Sequence, residues 1–403
     1  MTFADFILAH EGDDPVRLLL SRDKYPGIDV DLAVSTIEAR ARLKAKIPEW
    51  YEHPGLYYPS RLCAEQCSSS RTARFKARLA SGLPATGCLS RRRIADLTGG
   101  LGVDSQAFAE VASEVFYNEM NPALCNAVKH NFLELGVGNV RFSNKRLEKG
   151  NLDEVIGDFE PDLIYMDPAR RSEDGRKVFL LEDCSPDVLT LLPELFGKCR
   201  FVLLKLSPMA DISLLRKQLP HIRDIYIVSV GGECKELLFL LDREWTYAQM
   251  LNLVEDDVVL DILPNDKIEY VREADKGLLC PESYLFEPSH ALAKSGAFSY
   301  PCIYNIKKLA PSTHLYASEG IVRPLQPYGK WYCILEVRHL DKRSIKEMGQ
   351  KYPQADVSAR NIPIKSDELR ERLGCSSGGN VHIFGVSTTS DRLLVVCRKA
   401  RVI

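Results

Sequence analysis

The sequence predicts an α/β fold in which a mostly parallel sheet is flanked by helices, with a helical cap before it and an α+β module after it. Three observations carry that prediction. Between residues 91 and 245, apolar strand-like runs alternate with segments of helical periodicity, the pattern that builds parallel sheets. The first run ends in Asp96-Leu97-Thr98-Gly99-Gly100-Leu101-Gly102, where a glycine-rich turn opens a helix and lets bare backbone approach a ligand of the nucleotide type. The last two runs, 222–230 and 236–241, are separated only by Gly231-Gly232-Glu233-Cys234-Lys235. That turn is too short for a crossover, so the final strand must run antiparallel to its neighbour.

Length and composition set the bounds. A chain of 403 residues exceeds the roughly 250 to 300 at which a single core stops growing. It divides into a helical cap over 1–90, an α/β domain over 91–245, a connecting region or small α+β subdomain over 246–330, and an α+β module over 331–403. No run approaches the ~20 apolar residues that span a bilayer. A net charge of −2 means that the chain as a whole is not drawn to polyanions, although local clusters still act. The twelve cysteines stand singly with no Cys-x-x-Cys, and the eight histidines form no helical pair, so no metal site is expected. Cys63 and Cys67 would need a third cysteine at position 70 to hold an iron–sulfur cluster, and Ser70 stands there. Singly spread cysteines and an N-terminus without a basic and then apolar leader point to a reduced, cytoplasmic protein without disulfides.

Within the cap, Val30 begins an amphipathic stretch reaching Ile47. The segment Leu62-Cys63-Ala64-Glu65-Gln66-Cys67-Ser68-Ser69-Ser70-Arg71-Thr72 precedes a helix through Phe75 and Leu79 that Ser69 or Ser70 can cap. After the glycine loop, a second strand over 114–118 is followed by Glu119, about 20 residues on, where an acidic side chain meets ribose hydroxyls. The alternative makes Glu119 a helix N-terminal acid ahead of Asn121-Pro122. A third strand, 140–144, ends at the polar Asn144. The fourth, 161–166, looks buried and stops abruptly at Asp167-Pro168-Ala169-Arg170-Arg171, a strand-to-loop junction carrying an acid. A strand over 200–206 lies between helices at 186–196 and 212–219. Residues 246–330 look irregular apart from a helix after Pro288, on which His290 and Lys294 form a surface pair. The tail alternates strands at 331–337, 355–362, 381–386 and 392–397 with helices at 342–351 and 366–373. Basic residues gather at Arg71, Arg74, Lys76, Arg78 and Arg91-Arg92-Arg93, and again at Arg170, Arg171, Arg176 and Lys177. They predict either a phosphate-binding rim or ordinary solvated helix faces.

The glycine loop resembles motif I of class I S-adenosylmethionine-dependent methyltransferases, with Thr98 in place of the first glycine. A hydride-transferring domain would carry a third glycine at position 105, which is Ser105. Asp167-Pro168-Ala169-Arg170 is similar to motif IV, with Arg170 in the slot where base-methylating enzymes hold an aromatic residue. The Leu62 to Thr72 segment resembles motif X, which closes over the methionyl end of the cofactor. The whole order, tail included, resembles bacterial class I methyltransferases with a C-terminal THUMP-like domain. This resemblance implies a Rossmann-like, seven-stranded sheet with an antiparallel last strand, S-adenosyl-L-methionine as cofactor and RNA as substrate. It also implies that Gln66, Ser68 and Thr72 hold the methionyl end, while Asp96, Thr98, Gly100 and Gly102 line the loop. Glu119 would take the ribose and Asn144 the adenine, with Asp167, Pro168 and Arg170 as the catalytic corner. Cys184 and Cys234 lack the preceding proline or threonine of carbon-5 pyrimidine enzymes. Two other functions stay open. A non-catalytic RNA-binding protein that keeps the fold is allowed by Arg170, and a small-molecule methyltransferase is allowed if the arginines do not ring the pocket.

Overall fold

The computed structural model describes residues 1–84, 92–170, 181–262 and 268–400. The chain forms two compact units, one of Met1–Ile225 with Glu236–Gln249 and one of Tyr226–Lys235 with Met250–Ile403. No helix among the described residues is long and apolar enough to cross a membrane.

The first unit begins with helices Phe3–His10, Pro15–Leu20 and Val30–Lys46, started by Thr2, Asp14 and Asp29, whose side chains accept from the first-turn N–H groups. Their apolar faces meet in a small core of Phe6, Ile7, Leu18, Val30, Ala33, Val34 and Ile37. The α/β sheet follows with β1 (Arg92–Asp96), β2 (Ala112–Asn118), β3 (Val140–Ser143), β4 (Leu163–Met166), β5 (Phe201–Leu206), β6 (Ile222–Val230) and β7 (Glu233–Asp242). Their order is β6-β7-β5-β4-β1-β2-β3. Pairs β1–β2, β2–β3, β1–β4 and β4–β5 are parallel, and β5–β7 is antiparallel, so the expected Rossmann-like sheet with a reversed last strand is present. The central strands read as apolar runs because helices cover both faces. All four residues of β4 are buried, and in β5 only Lys205 is not. Strand order reverses between β1 and β4. Ligands of open α/β sheets bind at such a switch point, outside the carboxyl ends of the strands.

In the second unit, residues 246–330 are more regular than their sequence suggests. They hold β8 (Met250–Glu255), β9 (Val258–Ile262), β10 (Tyr284–Pro288), β11 (Lys307–Ala310) and β12 (Thr313–Ser318), with a helix at His290–Ser295. Strands β13 (Gly329–His339), β14 (Asp356–Arg360), β15 (Val381–Ser387) and β16 (Arg392–Lys399) complete a seven-stranded sheet in the order β11-β12-β10-β13-β16-β15-β14. Along β16 the side chains alternate. Leu394 and Val396 pack with helices Lys342–Lys351 and Ser366–Leu373, while Leu393, Val395 and Cys397 join Leu285, Leu315 and Ile334 on the other face.

Candidate active site

The carboxyl ends of β1 and β4 carry the two acidic motifs, and Thr98 joins them. Its Oγ1 accepts from the Asp167 backbone N–H at 2.6 Å. A glycine at position 98 would leave that donor without this partner, which gives the departure from motif I a structural use. Asp96 turns inward rather than toward the loop's open side. Its Oδ2 accepts from Ser105 Oγ at 2.6 Å and its Oδ1 from the Thr98 N–H at 3.2 Å. Burial pushes Asp96 up to about 8, against the lowering effect of the Ser105 bond.

The loop glycines divide their work. Gly102 starts helix Val103–Val111 at φ +83°, and a Cβ there would lie 2.7 Å from Val128 Cγ1, so its lack of a side chain serves helix packing. Gly100, at φ +54°, is open: a Cβ would meet only the Thr98 carbonyl oxygen, at 3.8 Å. Glu119 lies beside it at the end of β2, accepting from the Gly100 N–H at 3.0 Å and from the Asn121 N–H at 2.8 Å. Asn144 donates its Nδ2 to the Glu119 carbonyl at 2.6 Å. Loop, acid and amide, expected to act together, do sit together.

The segment before the loop behaves differently. Gln66 is exposed at the end of helix Arg61–Gln66. Thr72 is used on its own helix, exchanging capping bonds with Ser69. Ser68 is buried, donating to Asp104 Oδ2 at 2.8 Å and accepting from Lys76 Nζ at 3.1 Å. Pro168 is buried, and the backbone of Ala169 and Arg170 pairs antiparallel with Ser185 and Cys184. The Arg170 side chain lies outside the described residues, as do Arg91, Arg171, Arg176 and Lys177.

The expected basic rim needs correction at Lys76, because it is buried among carboxylates. Its Nζ donates to both Glu236 oxygens at 2.8 and 2.9 Å and lies 3.2 Å from Asp104 Oδ1. Arg74 pairs with Glu49, Arg93 with Glu114 at 3.2 Å, and Arg92 donates to the Pro84 carbonyl at 3.0 Å. The cluster around Lys76 extends toward the motif IV corner. Tyr165 donates to Asp104 Oδ2 at 2.8 Å, and Lys205 donates to Asp167 Oδ2. Exposure rises along it: the side chains of Lys76 and Glu236 are 0% and 3% accessible, those of Lys205 and Asp167 13% and 35%. Burial draws Lys205 down, but Asp167, Glu236 and Asp104 together carry it above the ordinary lysine range. Burial likewise pushes Asp104 up, and Lys76 and Lys205 more than reverse that, holding its carboxyl below its ordinary value. Lys205, Glu236, Asp104 and Tyr165 were not singled out by sequence. The available signal was a single lysine inside the apolar run Phe201-Val202-Leu203-Leu204-Lys205-Leu206.

Comparison with known proteins adds to this geometry. Residues 284–324 match a ferredoxin-like domain family and residues 329–399 the family described as THUMP domain-like. Uncharacterized S-adenosylmethionine-dependent methyltransferases from two Mycobacterium tuberculosis strains, CDC 1551 and H37Rv, are each 23% identical over 345 residues, covering 84% of this chain and 87% of theirs. The crystal structure of a candidate methyltransferase from Porphyromonas gingivalis W83 superposes with a TM-score of 0.81 at 29% identity, over 99% of this chain and 98% of that one.

Proposed function

We propose that this chain, a class I S-adenosylmethionine-dependent methyltransferase with ferredoxin-like and THUMP-like domains after its catalytic sheet, methylates RNA. The observation that carries the RNA assignment is the THUMP-like match over 329–399, since domains of that kind bind structured RNA. Charge supports it. Those 71 residues hold thirteen Lys and Arg against eight Asp and Glu, a surplus of five positive charges in a chain whose net charge is −2. A polyanion therefore meets its attraction in this module rather than in the chain as a whole.

The residues present fit the cofactor. Gly100 leaves open space where a side chain would stand, and Glu119 offers a carboxylate already oriented by two backbone N–H groups, suited to accept from a ribose diol. Thr98, Gly100, Glu119 and Asn144 would form the adenosyl side of the pocket. Asp96, Ser68, Thr72 and Gly102 act behind it, through the loop and helix that they hold. Bound S-adenosylmethionine supplies a methyl group activated on a sulfonium sulfur.

The chain's contribution is then position and charge. Thr98 fixes the backbone at Asp167, and Lys205 fixes its carboxylate, so an incoming nucleophile meets an acceptor held in one orientation. Asp167→Asn is expected to lower turnover about 100-fold or more while leaving cofactor binding near that of the parent protein. The function itself is tested by incubating the full-length protein with methyl-tritiated S-adenosylmethionine and bulk bacterial transfer and ribosomal RNA. Ribonuclease-sensitive, acid-precipitable label is the expected result, and label absent from RNA contradicts it.

A further inference from the structure

The mixed-charge cluster behind Asp167 calls for a purpose beyond stability. Removing ammonium and carboxylate groups from water costs free energy that their attraction repays only with good geometry, so buried ion pairs are weak stabilisers. A perturbed cluster in a cleft is instead a functional candidate. Its four charged corners come from four separate elements: Lys76 on helix Ser70–Gly82, Asp167 after β4, Lys205 near the end of β5 and Glu236 on β7. Asp104, from the first turn of helix Val103–Val111, lies between Lys76 and Tyr165. Among the described residues of the cluster, Asp167 and Lys205 are the more exposed end.

The chemistry of that end discriminates among methyl acceptors. An exocyclic amine attacks with its own lone pair and gains most from a flat aromatic that stacks the base, yet the residues after Asp167 are Pro168, Ala169 and Arg170. Carbon 5 of a pyrimidine needs a thiolate first, and Cys184, whose backbone pairs with Arg170, follows Asp183 rather than a proline or threonine. Cys67 donates to the Ala64 carbonyl at 3.2 Å, and burial pushes it up to about 11, so it stays a thiol. An aliphatic hydroxyl needs two things together, a base for its proton and a cation for the negative charge that develops on oxygen. A carboxylate and an ammonium group in contact at the exposed end of the cluster provide both.

Resting on the RNA assignment above, we propose that the acceptor is the ribose 2′-hydroxyl of an RNA nucleotide, with Asp167 as proton acceptor and Lys205 as the cation at the reacting oxygen. Glu236 and Asp104 act on Lys205 through their charge, and Lys76 in turn balances those two carboxylates. The O–H bond breaks and its proton passes to the Asp167 carboxylate. The freed electron pair forms the O–CH3 bond, and the C–S bond of the sulfonium donor breaks with its electrons left on sulfur. A neutral thioether leaves, and Asp167 returns the proton to solvent. The 2′-hydroxyl is also the group that distinguishes RNA from DNA at a site.

Alkaline hydrolysis tests this without any variant. A 2′-O-methyl group blocks cleavage at its own nucleotide, so RNA labelled by the full-length protein should release tritium in alkali-resistant dinucleotides. Lys205→Met should lower that label about 100-fold or more while binding S-adenosylhomocysteine, followed by calorimetry, within about threefold of the parent protein. Label in mononucleotides overturns the hydroxyl assignment and leaves RNA methylation standing. Label in no RNA overturns both. Full activity in Lys205→Met removes Lys205 from the step.

Discussion

Thr98 shows how a single side chain couples two motifs. Thr98→Val removes the acceptor of the Asp167 N–H at nearly constant volume and should cost about 1 kcal/mol in stability, with a larger loss in turnover, whereas Thr98→Ser retains both; chemical denaturation and initial rates separate these outcomes. Lys76 is more demanding. Lys76→Met leaves Glu236 and Asp104 buried without their cation and should destabilise by about 3 to 5 kcal/mol, measured by urea unfolding. Asp96 gives a pH signature. Burial lifts its carboxyl to about 8, above the ordinary aspartate value of 3.8, so between those values the folded state binds the extra proton and stability falls as pH rises. Asp96→Asn should therefore stabilise the protein more at pH 8 than at pH 5, and an equal effect at both, read from melting temperatures, contradicts the buried carboxyl. The acids at the strand ends were legible in sequence because an acid after an apolar run is conspicuous. Lys76 was misassigned to a surface because one-dimensional periodicity does not reveal which partner a buried charge meets across 160 residues.

The elements were most legible where burial is complete. Strands β4 and β5 are apolar runs covered on both faces, and helices Lys342–Lys351 and Ser366–Leu373 end where their apolar spacing ends. Residues 246–330 were harder to read because β10, β11 and β12 are only four to six residues long, and β11 is interrupted by a register shift between Lys308 and Ala310. Short strands leave little periodicity to detect. Close approach between elements was also hidden. A Cβ on Gly349 would lie 1.8 Å from the Leu373 carbonyl oxygen, so the two C-terminal helices can touch only through a glycine. Gly349→Ala should cost about 1 to 3 kcal/mol or more and lower the melting temperature of the second unit, whereas alanine at the open Gly138 should change little.

At the scale of the whole molecule, the split between an acidic remainder and a basic tail predicts salt-dependent RNA binding. Lys342 and Lys346 are exposed one turn apart on helix Lys342–Lys351. If both contact phosphate, Lys342→Glu with Lys346→Glu should weaken binding of every RNA tested and flatten the slope of log affinity against log salt by about 0.7 per lost contact. Under the proposed function, turnover requires first that Thr98, Gly100 and Glu119 hold the adenosyl group. Calorimetric titration of the full-length protein with S-adenosylhomocysteine, and separately with NAD, tests that pocket most directly. Saturable one-to-one binding of S-adenosylhomocysteine, lost in Glu119→Ala and absent for NAD, is the predicted result; binding of NAD alone, or of neither, would contradict a methyltransferase site.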